Sequence, residues 1–158
     1  DNLGIKDKVI FPDRYNYFLG YPAEYMALLY NAADVFLGAS MSEGFGIPLI
    51  EAQACGTPVV TTNATSMPEL VRWGQIVDPV DRWWTPLNAW QYLPSVAGIA
   101  EALSQLHAQW LDNGVRKDAT AQEIAQDAIH SEYGWSNIVR DYWAPLMRRL
   151  AGELEAAP

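Results

Sequence analysis

The alternation of short apolar runs with helical stretches predicts an α/β chain built around a parallel sheet. Residues 34–40, 59–62 and 75–78 have the length and the β-branched or aromatic content of buried strands. Residues 23–33 show the apolar spacing of a helix with one buried face, and 67–72 read as a short helix with a proline near its start. Strands and helices thus follow one another as in a doubly wound sheet.

The flanking segments are interpreted in the same way. Residues 8–11 are predicted as a first strand and 12–22 as an aromatic loop, whereas 96–111, 119–129 and 138–150 are predicted helices. Residues 80–94 form a second loop, which contains Trp83, Trp84 and Trp90. These rings could form a sugar-stacking or partner surface. We favour the alternative, in which the loop buries its own aromatic side chains under a face of the domain.

Residues 42–51 place two carboxylates around a glycine turn that leads into a helix. Gly44 and Gly46 permit a positive φ or a close approach of the backbone to a ligand. The unpaired N–H groups at such a helix start carry about half a positive charge and suit a phosphate. Glu43 and Glu51 would repel a phosphate, so we expect both to accept hydrogen bonds from hydroxyls at the two ends of a longer ligand. A sugar at one end and a ribose at the other would fit.

The spacing of Glu43 and Glu51 matches the E-x7-E signature of retaining GT-B glycosyltransferases. With its flanks at 30–36 and 51–60, the chain resembles the family 4 (group 1) type, and the likeness continues through 67–70, 76–79 and, more faintly, 133–136. This resemblance implies the C-terminal, donor-binding domain of such an enzyme. The implied fold is Rossmann-like α/β, with a parallel sheet and flanking helices.

The resemblance also implies roles for individual residues. Glu51 would bind the ribose hydroxyls of a nucleotide-sugar donor such as a UDP-sugar or GDP-sugar, and Glu43, the candidate catalytic residue, would contact the transferred sugar. Sugar and diphosphate would be held by the backbone of Gly44, Phe45, Gly46 and Ile47. Possible further contacts with the donor or its base are Tyr15, Tyr17, Tyr21, Asn63 and Glu69. Neither a metal ion nor a cofactor besides the substrate would be needed.

Each of these further contacts has a structural alternative. The tyrosines could pack the loop against the sheet, and we favour packing for any single one of them. Asn63 could serve the turn that follows its strand. Glu69 could complement the dipole of a helix start, an alternative that we weigh evenly against a functional carboxylate.

Compared with the family, the sequence starts after the first two strand-helix units of the donor domain. It lacks the Arg and Lys that grip the diphosphate, and it lacks the acceptor domain. We therefore expect residues 1–158 to be a single partial domain, inactive alone, whose partner is the N-terminal acceptor domain or another chain. In the strand order 3-2-1-4-5-6 a strand at 8–11 would have no neighbour, so another chain, a different pairing or a dimer would have to complete the sheet.

Composition restricts the class of protein further. The chain is 50% hydrophobic and 18% charged, which indicates a globular core rather than disorder. The net charge of −9 argues against a nucleic-acid partner, which requires clustered Lys and Arg. A single cysteine, Cys55, and the absence of any signal-peptide or membrane-span pattern in these residues favour the cytoplasm. The whole enzyme could still associate peripherally with a membrane.

The leading prediction is the donor-binding half of a retaining hexosyltransferase in polysaccharide biosynthesis. It would move a hexose from a nucleotide diphosphate sugar to a glycan, lipid or small acceptor. One alternative keeps the GT-B fold with another reaction, such as that of a sugar-nucleotide epimerase. The other is a non-catalytic glycan-binding or assembly module that uses the tryptophan-rich segment at 80–94.

Overall fold

A computed structural model of the chain describes residues 3–113 and 118–155. In chain order its elements are α1 (Arg14–Leu19), α2 (Ala23–Ala32), β1 (Phe36–Gly38), α3 (Ile47–Ala54), β2 (Val59–Thr62), α4 (Met67–Leu70), β3 (Gly74–Val77), β4 (Asp81–Trp84), β5 (Trp90–Leu93), α5 (Val96–Asn113), α6 (Ala119–Tyr133), α7 (Trp135–Ile138) and α8 (Ala144–Glu155). A 3₁₀ turn at Lys6–Lys8 precedes α1, and a π-helical segment at Val139–Trp143 joins α7 to α8.

The central sheet consists of three parallel strands in the order β1-β2-β3. Leu37 of β1 lies opposite Val60 of β2, which lies opposite Gln75 of β3. The crossovers between these strands contain α3 and α4, so strand and helix alternate as predicted. The α/β class, the parallel sheet and the flanking helices are confirmed.

Apolar side chains cover both faces of this sheet. On one face, Leu49 of α3 and Met67 of α4 pack with Val59 of β2 in a buried cluster. On the other face, Val60 and Ala102 form a second cluster with residues of β3 and α5. Because both faces of β2 are covered, its four residues are all buried, which explains why its sequence reads as a continuous apolar and threonine run.

A fully buried polar side chain, Gln53, ties α3 to the start of β3. Its amide nitrogen donates to the carbonyl oxygens of Leu49, at 2.8 Å, and Leu70, at 3.0 Å. Its amide oxygen accepts from the backbone N–H groups of Arg72, at 2.6 Å, and Trp73, at 3.0 Å. Every hydrogen-bonding position of the side-chain amide is therefore used, as burial requires.

The predictions for the first twenty residues were wrong in two respects. Residues 9–13 are irregular instead of a strand, and Ile10 is 96% exposed. A strand needs a neighbouring strand for its N–H and C=O groups, and β1 pairs with β2 alone among the described strands. The predicted loop at 12–22 contains α1, because the Asp13 carboxylate accepts from the N–H groups of Tyr15 and Asn16 and so caps a helix.

The tryptophan-rich segment is an antiparallel hairpin, β4-β5, instead of an irregular loop. The favoured expectation that it buries its aromatic side chains was wrong. Trp83 is 40% exposed, Trp84 53% and Trp90 41%. A two-stranded hairpin has no second layer of its own to cover these rings.

The helices toward the end of the chain follow the predictions with longer bounds. α5 and α6 correspond to the helices expected at 96–111 and 119–129. The helix expected at 138–150 is α7, the π-helical segment and α8 in succession. Its apolar stripe is 37–57% exposed, and its members are Trp143, Leu146, Met147 and Leu150. Of the helices in the two described ranges, none combines the length and apolarity that crossing a bilayer would require.

Candidate functional site

The candidate site lies at the carboxyl edge of the parallel sheet. The turn from Ser42 to Gly46 follows β1, and Thr65 and Ser66 follow β2. Because parallel strands end at the same edge, these two segments meet there, at the place where open α/β sheets bind ligands. Hydrogen bonds between the two segments then fix the backbone of the turn.

Glu43 is half-buried, and its carboxylate is oriented by Ser40. The Ser40 hydroxyl donates to Oε1 of Glu43 at 2.6 Å. The backbone N–H of Glu43 donates to Oγ1 of Thr65 at 3.2 Å. The second carboxylate oxygen, Oε2, has lone pairs with which to accept from a ligand hydroxyl. Glu43 is thus held at both its backbone and its side chain.

The glycine turn is fastened by Ser66 and bends at Gly46. The Ser66 hydroxyl donates to the carbonyl oxygen of Phe45 at 2.7 Å. Gly46 is the N-cap of α3, with a φ of 104° that only glycine adopts readily. Ile47 and Pro48 open α3, so the predicted turn and helix start are confirmed. The first N–H groups of α3 therefore face the sheet edge that carries Glu43.

Glu51 lies on the exposed side of α3, one turn into the helix. The hydroxyl of Tyr30, on α2, donates to Oε2 of Glu51 at 3.1 Å. Burial, with this hydrogen bond as the next contribution, raises the pKa of Tyr30 to about 12. Tyr30 therefore stays protonated throughout the physiological range and remains a donor to Glu51. The tyrosine holds this carboxylate much as Ser40 holds Glu43.

Two separate recesses carry the two carboxylates. A cavity of about 390 Å³ at the sheet edge is lined by Ser40, Glu43, Gly46 and Pro48, with Phe36, Leu37, Gly38, Ala39, Leu49 and Met67 completing its wall. Glu51 lines a neighbouring recess of about 150 Å³ together with His130 and Tyr133 of α6. Each carboxylate thus lines a hollow of its own.

A further cavity, of about 430 Å³, lies at the opposite edge of the sheet. It is lined by Val35, Pro58 and Trp73, each of which comes just before a strand, and by residues of α5 and the start of α6. Ligands of open parallel sheets bind at the carboxyl edge rather than at the amino edge. We therefore assign the site to the smaller cavity beside Glu43, although the amino-edge cavity is the more spacious.

Among the remaining predicted residues are Phe45 and Ile47, at the turn and the helix start, and three tyrosines earlier in the chain. Phe45 and Ile47 are about half exposed, and the Phe45 ring packs edge-on against Tyr133. Tyr15 and Tyr17 lie on α1, each 70% exposed. Tyr21 stacks on Tyr25 of α2, with ring centroids 4.7 Å apart. Neither α1 nor this stacked pair lines the cavity that holds Glu43.

Asn63 and Glu69 are both exposed near the carboxyl edge. The side chain of Asn63, after β2, donates to the Asp78 carboxylate, after β3, at 2.7 Å. Glu69 lies in the first turn of α4. Their contact with a donor stays a prediction. Within residues 3–113 and 118–155, no group of three or more His, Cys, Asp or Glu side chains is arranged to hold a metal ion.

Several residues that orient the two carboxylates or fasten the turn were not given these roles from the sequence. They are Tyr30, Ser40, Thr65 and Ser66. Ser40 lies three residues before Glu43 in sequence, so its short polar side chain was a usable local signal. The other three act across 21 or 22 positions in sequence. Such contacts depend on how the elements pack, which residue spacing does not reveal.

The order of the parallel strands and the helix that starts at their carboxyl edge define the class as a Rossmann-like α/β fold. The protein of Anabaena named HepE, crystallised with UDP and glucose, superposes with a TM-score of 0.62 at 22% identity, over 93% of this chain and 34% of that one. A family model described as glycosyl transferases group 1 matches residues 1–122. The chain belongs to the group 1 glycosyltransferases.

Curated relatives agree with this family. The chain is 37% identical over 123 residues to the O-antigen chain mannosyltransferase B of Escherichia coli, covering 76% of this chain and 27% of that protein. It is 35% identical over 150 residues to the D-inositol 3-phosphate glycosyltransferase of Mycobacteroides abscessus, covering 91% and 29%. The chain thus spans less than a third of the length of either relative.

Proposed function

We propose that this chain binds the nucleotide-sugar donor of a retaining, family 4 type hexosyltransferase. In this proposal Glu51 accepts hydrogen bonds from the ribose hydroxyls, and Glu43 accepts them from the transferred hexose. The diphosphate lies on the backbone N–H groups between Gly44 and Ile47. The observation that carries the proposal is the position of the two carboxylates, with Glu43 on the turn before α3 and Glu51 one turn into that helix, each lining a hollow.

The electrostatics of the turn suit a departing diphosphate. Negative charge develops on the leaving phosphate oxygen during transfer, and backbone N–H groups fixed in advance stabilise it without reorganising. The turn is fixed by Thr65 and Ser66, which hold the backbone at Glu43 and Phe45. The net charge of −9 does not prevent binding, because distant charges are screened beyond about 8 Å at physiological salt while the N–H groups act in contact.

In this proposal the chain binds the donor, and groups outside these residues carry out part of the reaction. The acceptor domain and a basic pair for the diphosphate would be contributed by residues beyond these 158 or by another chain. No metal ion is assigned to the reaction, since helix-start N–H groups and the basic pair would neutralise the leaving group. The O-antigen chain named for the Escherichia coli relative supports an acceptor in polysaccharide biosynthesis. The proposed location is the cytoplasm, with which the single cysteine agrees.

Titration calorimetry of the full-length protein with UDP-glucose and GDP-mannose tests the proposal. One of the two donors should bind, and Glu51→Ala should weaken binding about 10- to 100-fold, as expected for losing hydrogen bonds to a charged group. Glu123→Ala, at an exposed glutamate on α6, serves as the matched control and should bind as the wild type does. The proposal fails if neither donor binds, or if Glu51→Ala and Glu123→Ala bind equally well.

Glu43→Gln tests the role of the second carboxylate, and the product tests whether the anomeric configuration is retained. It keeps the size of the side chain but removes the charge beside the transferred sugar. We expect a large fall in kcat with a donor Kd close to that of the wild type, and an α-linked product from an α-linked donor by NMR of the anomeric proton. An inverted anomeric centre would contradict the retaining assignment, and unchanged turnover would contradict the role of Glu43.

A further inference from the structure

The β4-β5 hairpin combines aromatic rings with hydrogen-bonding side chains on both of its faces. Arg82 lies opposite Tyr92, and Trp84 lies opposite Trp90. The alternation of strand residues puts these four side chains on one face. Asp81, Trp83, Gln91 and Leu93 share the other face. Aromatic rings beside amide, carboxylate and guanidinium groups can stack on the apolar face of a pyranose and bind its hydroxyls.

The stability of the hairpin explains the aromatic side chains on one of its faces but not the tryptophan on the other. Trp84 and Trp90 pack edge to face at 5.3 Å, and the Arg82 guanidinium lies 4.5 Å from the centre of the Trp90 ring. Such cross-strand contacts stabilise a two-stranded sheet. Trp83 lies on the face away from this group and is 40% exposed. The packing of the pair therefore gives no reason for a tryptophan at position 83.

The hairpin is held in a fixed shape and in a fixed place. In its turn, the backbone N–H and the hydroxyl of Thr85 both donate to the Ala89 carbonyl at 2.9 Å, and Asn88 adopts a φ of 54°. At its base, the N–H of Tyr92 donates to the carbonyl of Met41 at 2.9 Å. Met41 is two residues before Glu43, in the segment that joins β1 to the turn. The hairpin thus adjoins the hollow in which the donor sugar is proposed to lie.

The charge of the hairpin favours a saccharide over an anionic lipid surface as its ligand. The hairpin strands carry one acidic and one basic side chain, Asp81 and Arg82, so the strand surface is neutral overall. Binding to an anionic lipid surface is favoured by clustered Lys and Arg, and Arg82 is the single basic side chain of the two strands. A neutral oligosaccharide needs no such cluster, and in the proposed reaction it must approach this edge of the sheet to reach a donor sugar.

We propose that the β4-β5 hairpin is a platform for the saccharide of the acceptor, with Trp83 as its principal stacking residue. The term acceptor rests on the function proposed above. The platform itself rests on the exposed rings, the polar side chains with no net charge overall, and the hydrogen bond to Met41. It holds the acceptor chain beside the Glu43 turn, where one of its hydroxyls can reach the transferred sugar.

The test uses the full-length protein labelled with 5-fluorotryptophan, and the probes are maltopentaose, mannopentaose and chitopentaose. We expect the ¹⁹F resonances of Trp83 and of the Trp84–Trp90 pair to shift with at least one of these oligosaccharides. Trp83→Ala should weaken that binding about fivefold, the size of one aromatic contact. It leaves the Trp84–Trp90 pair in place. Trp135→Ala, at a 73% exposed tryptophan of α7, is the control and should bind normally.

The outcomes separate this proposal from the function on which it rests. If donor binding by calorimetry is normal but no hairpin resonance responds to any oligosaccharide, the platform is refuted and the donor site stands. If the hairpin responds while no nucleotide sugar binds, the platform stands as a glycan site and the transferase proposal fails. A response to phosphatidylglycerol vesicles in place of the oligosaccharides refutes the platform in favour of a membrane contact.

Discussion

Replacing Gln53 by leucine should destabilise the chain strongly, although leucine has a similar size and suits both a helix and a core. The side-chain amide makes four hydrogen bonds in a fully buried position. Leucine makes none of them. The Leu49 carbonyl keeps its helical partner within α3. The Leu70 carbonyl and the N–H groups of Arg72 and Trp73 lose the partner that Gln53 supplies.

The expected magnitude follows from these three backbone groups. A buried group left without a partner costs about 1–3 kcal/mol, which would give roughly 3–9 kcal/mol in total. The bonds to Arg72 and Trp73 are only partly buried, so water can restore part of the loss. We therefore expect about 3–5 kcal/mol, which is a large share of the roughly 5–15 kcal/mol that stabilises a typical domain.

Urea unfolding of the 158-residue chain, followed by circular dichroism, measures this loss as a change in the free energy of unfolding. Gln105→Leu is the matched control, because Gln105 is exposed on α5 and its side-chain amide donates to the exposed Glu101 carboxylate at 3.2 Å. The control should stay within about 0.5 kcal/mol of the wild type. A loss below about 1 kcal/mol for Gln53→Leu would refute the reasoning that the amide secures α4 and β3 to α3.

Three further substitutions test other parts of the structure. Tyr30→Phe should cost about 1 kcal/mol at pH 7 through the lost bond to Glu51. Folding raises the pKa of Tyr30 from 10.0 to about 12, so the stability of the wild type should fall relative to that of the variant as the pH rises between these values. Alkaline unfolding curves would show this fall, and parallel curves for the two proteins would contradict the raised pKa. Gly46→Ala should cost about 2 kcal/mol because of the φ of 104° and should weaken donor binding, whereas wild-type values in thermal unfolding and calorimetry would argue against a strained turn. Thr62→Val should stabilise the chain by about 1 kcal/mol, because the buried Thr62 hydroxyl has no hydrogen-bond partner within the described ranges; a lower melting temperature would show that the hydroxyl is satisfied.

Local sequence signals were sufficient for the parallel sheet and for the helices between its strands. The glycine turn and the proline placed the start of α3, and Gly56 placed its end, because these residues act through their own backbone angles. The buried strands were recognised by their apolar content. By contrast, the strand expected at 8–11 failed because a strand depends on its neighbour rather than on its own residues.

Only the parts of the candidate site that depend on residues close together in sequence could be predicted. The spacing of Glu43 and Glu51 around the turn marked them as candidates, and their role in binding a donor stays a prediction. Their partners Tyr30 and Thr65 come from other elements, and packing alone brings them close. The hairpin was missed for a similar reason: its tryptophans suggested a core, but no second layer covers them.

A crystal structure of the full-length protein with the UDP- or GDP-sugar that it binds tests the central claim most directly. The account predicts ribose hydroxyls within hydrogen-bonding distance of the Glu51 carboxylate, the diphosphate on the N–H groups between Gly44 and Ile47, and the hexose beside Glu43. A nucleotide bound instead in the cavity at the amino edge of the sheet, against Trp73 and Pro58, would contradict it.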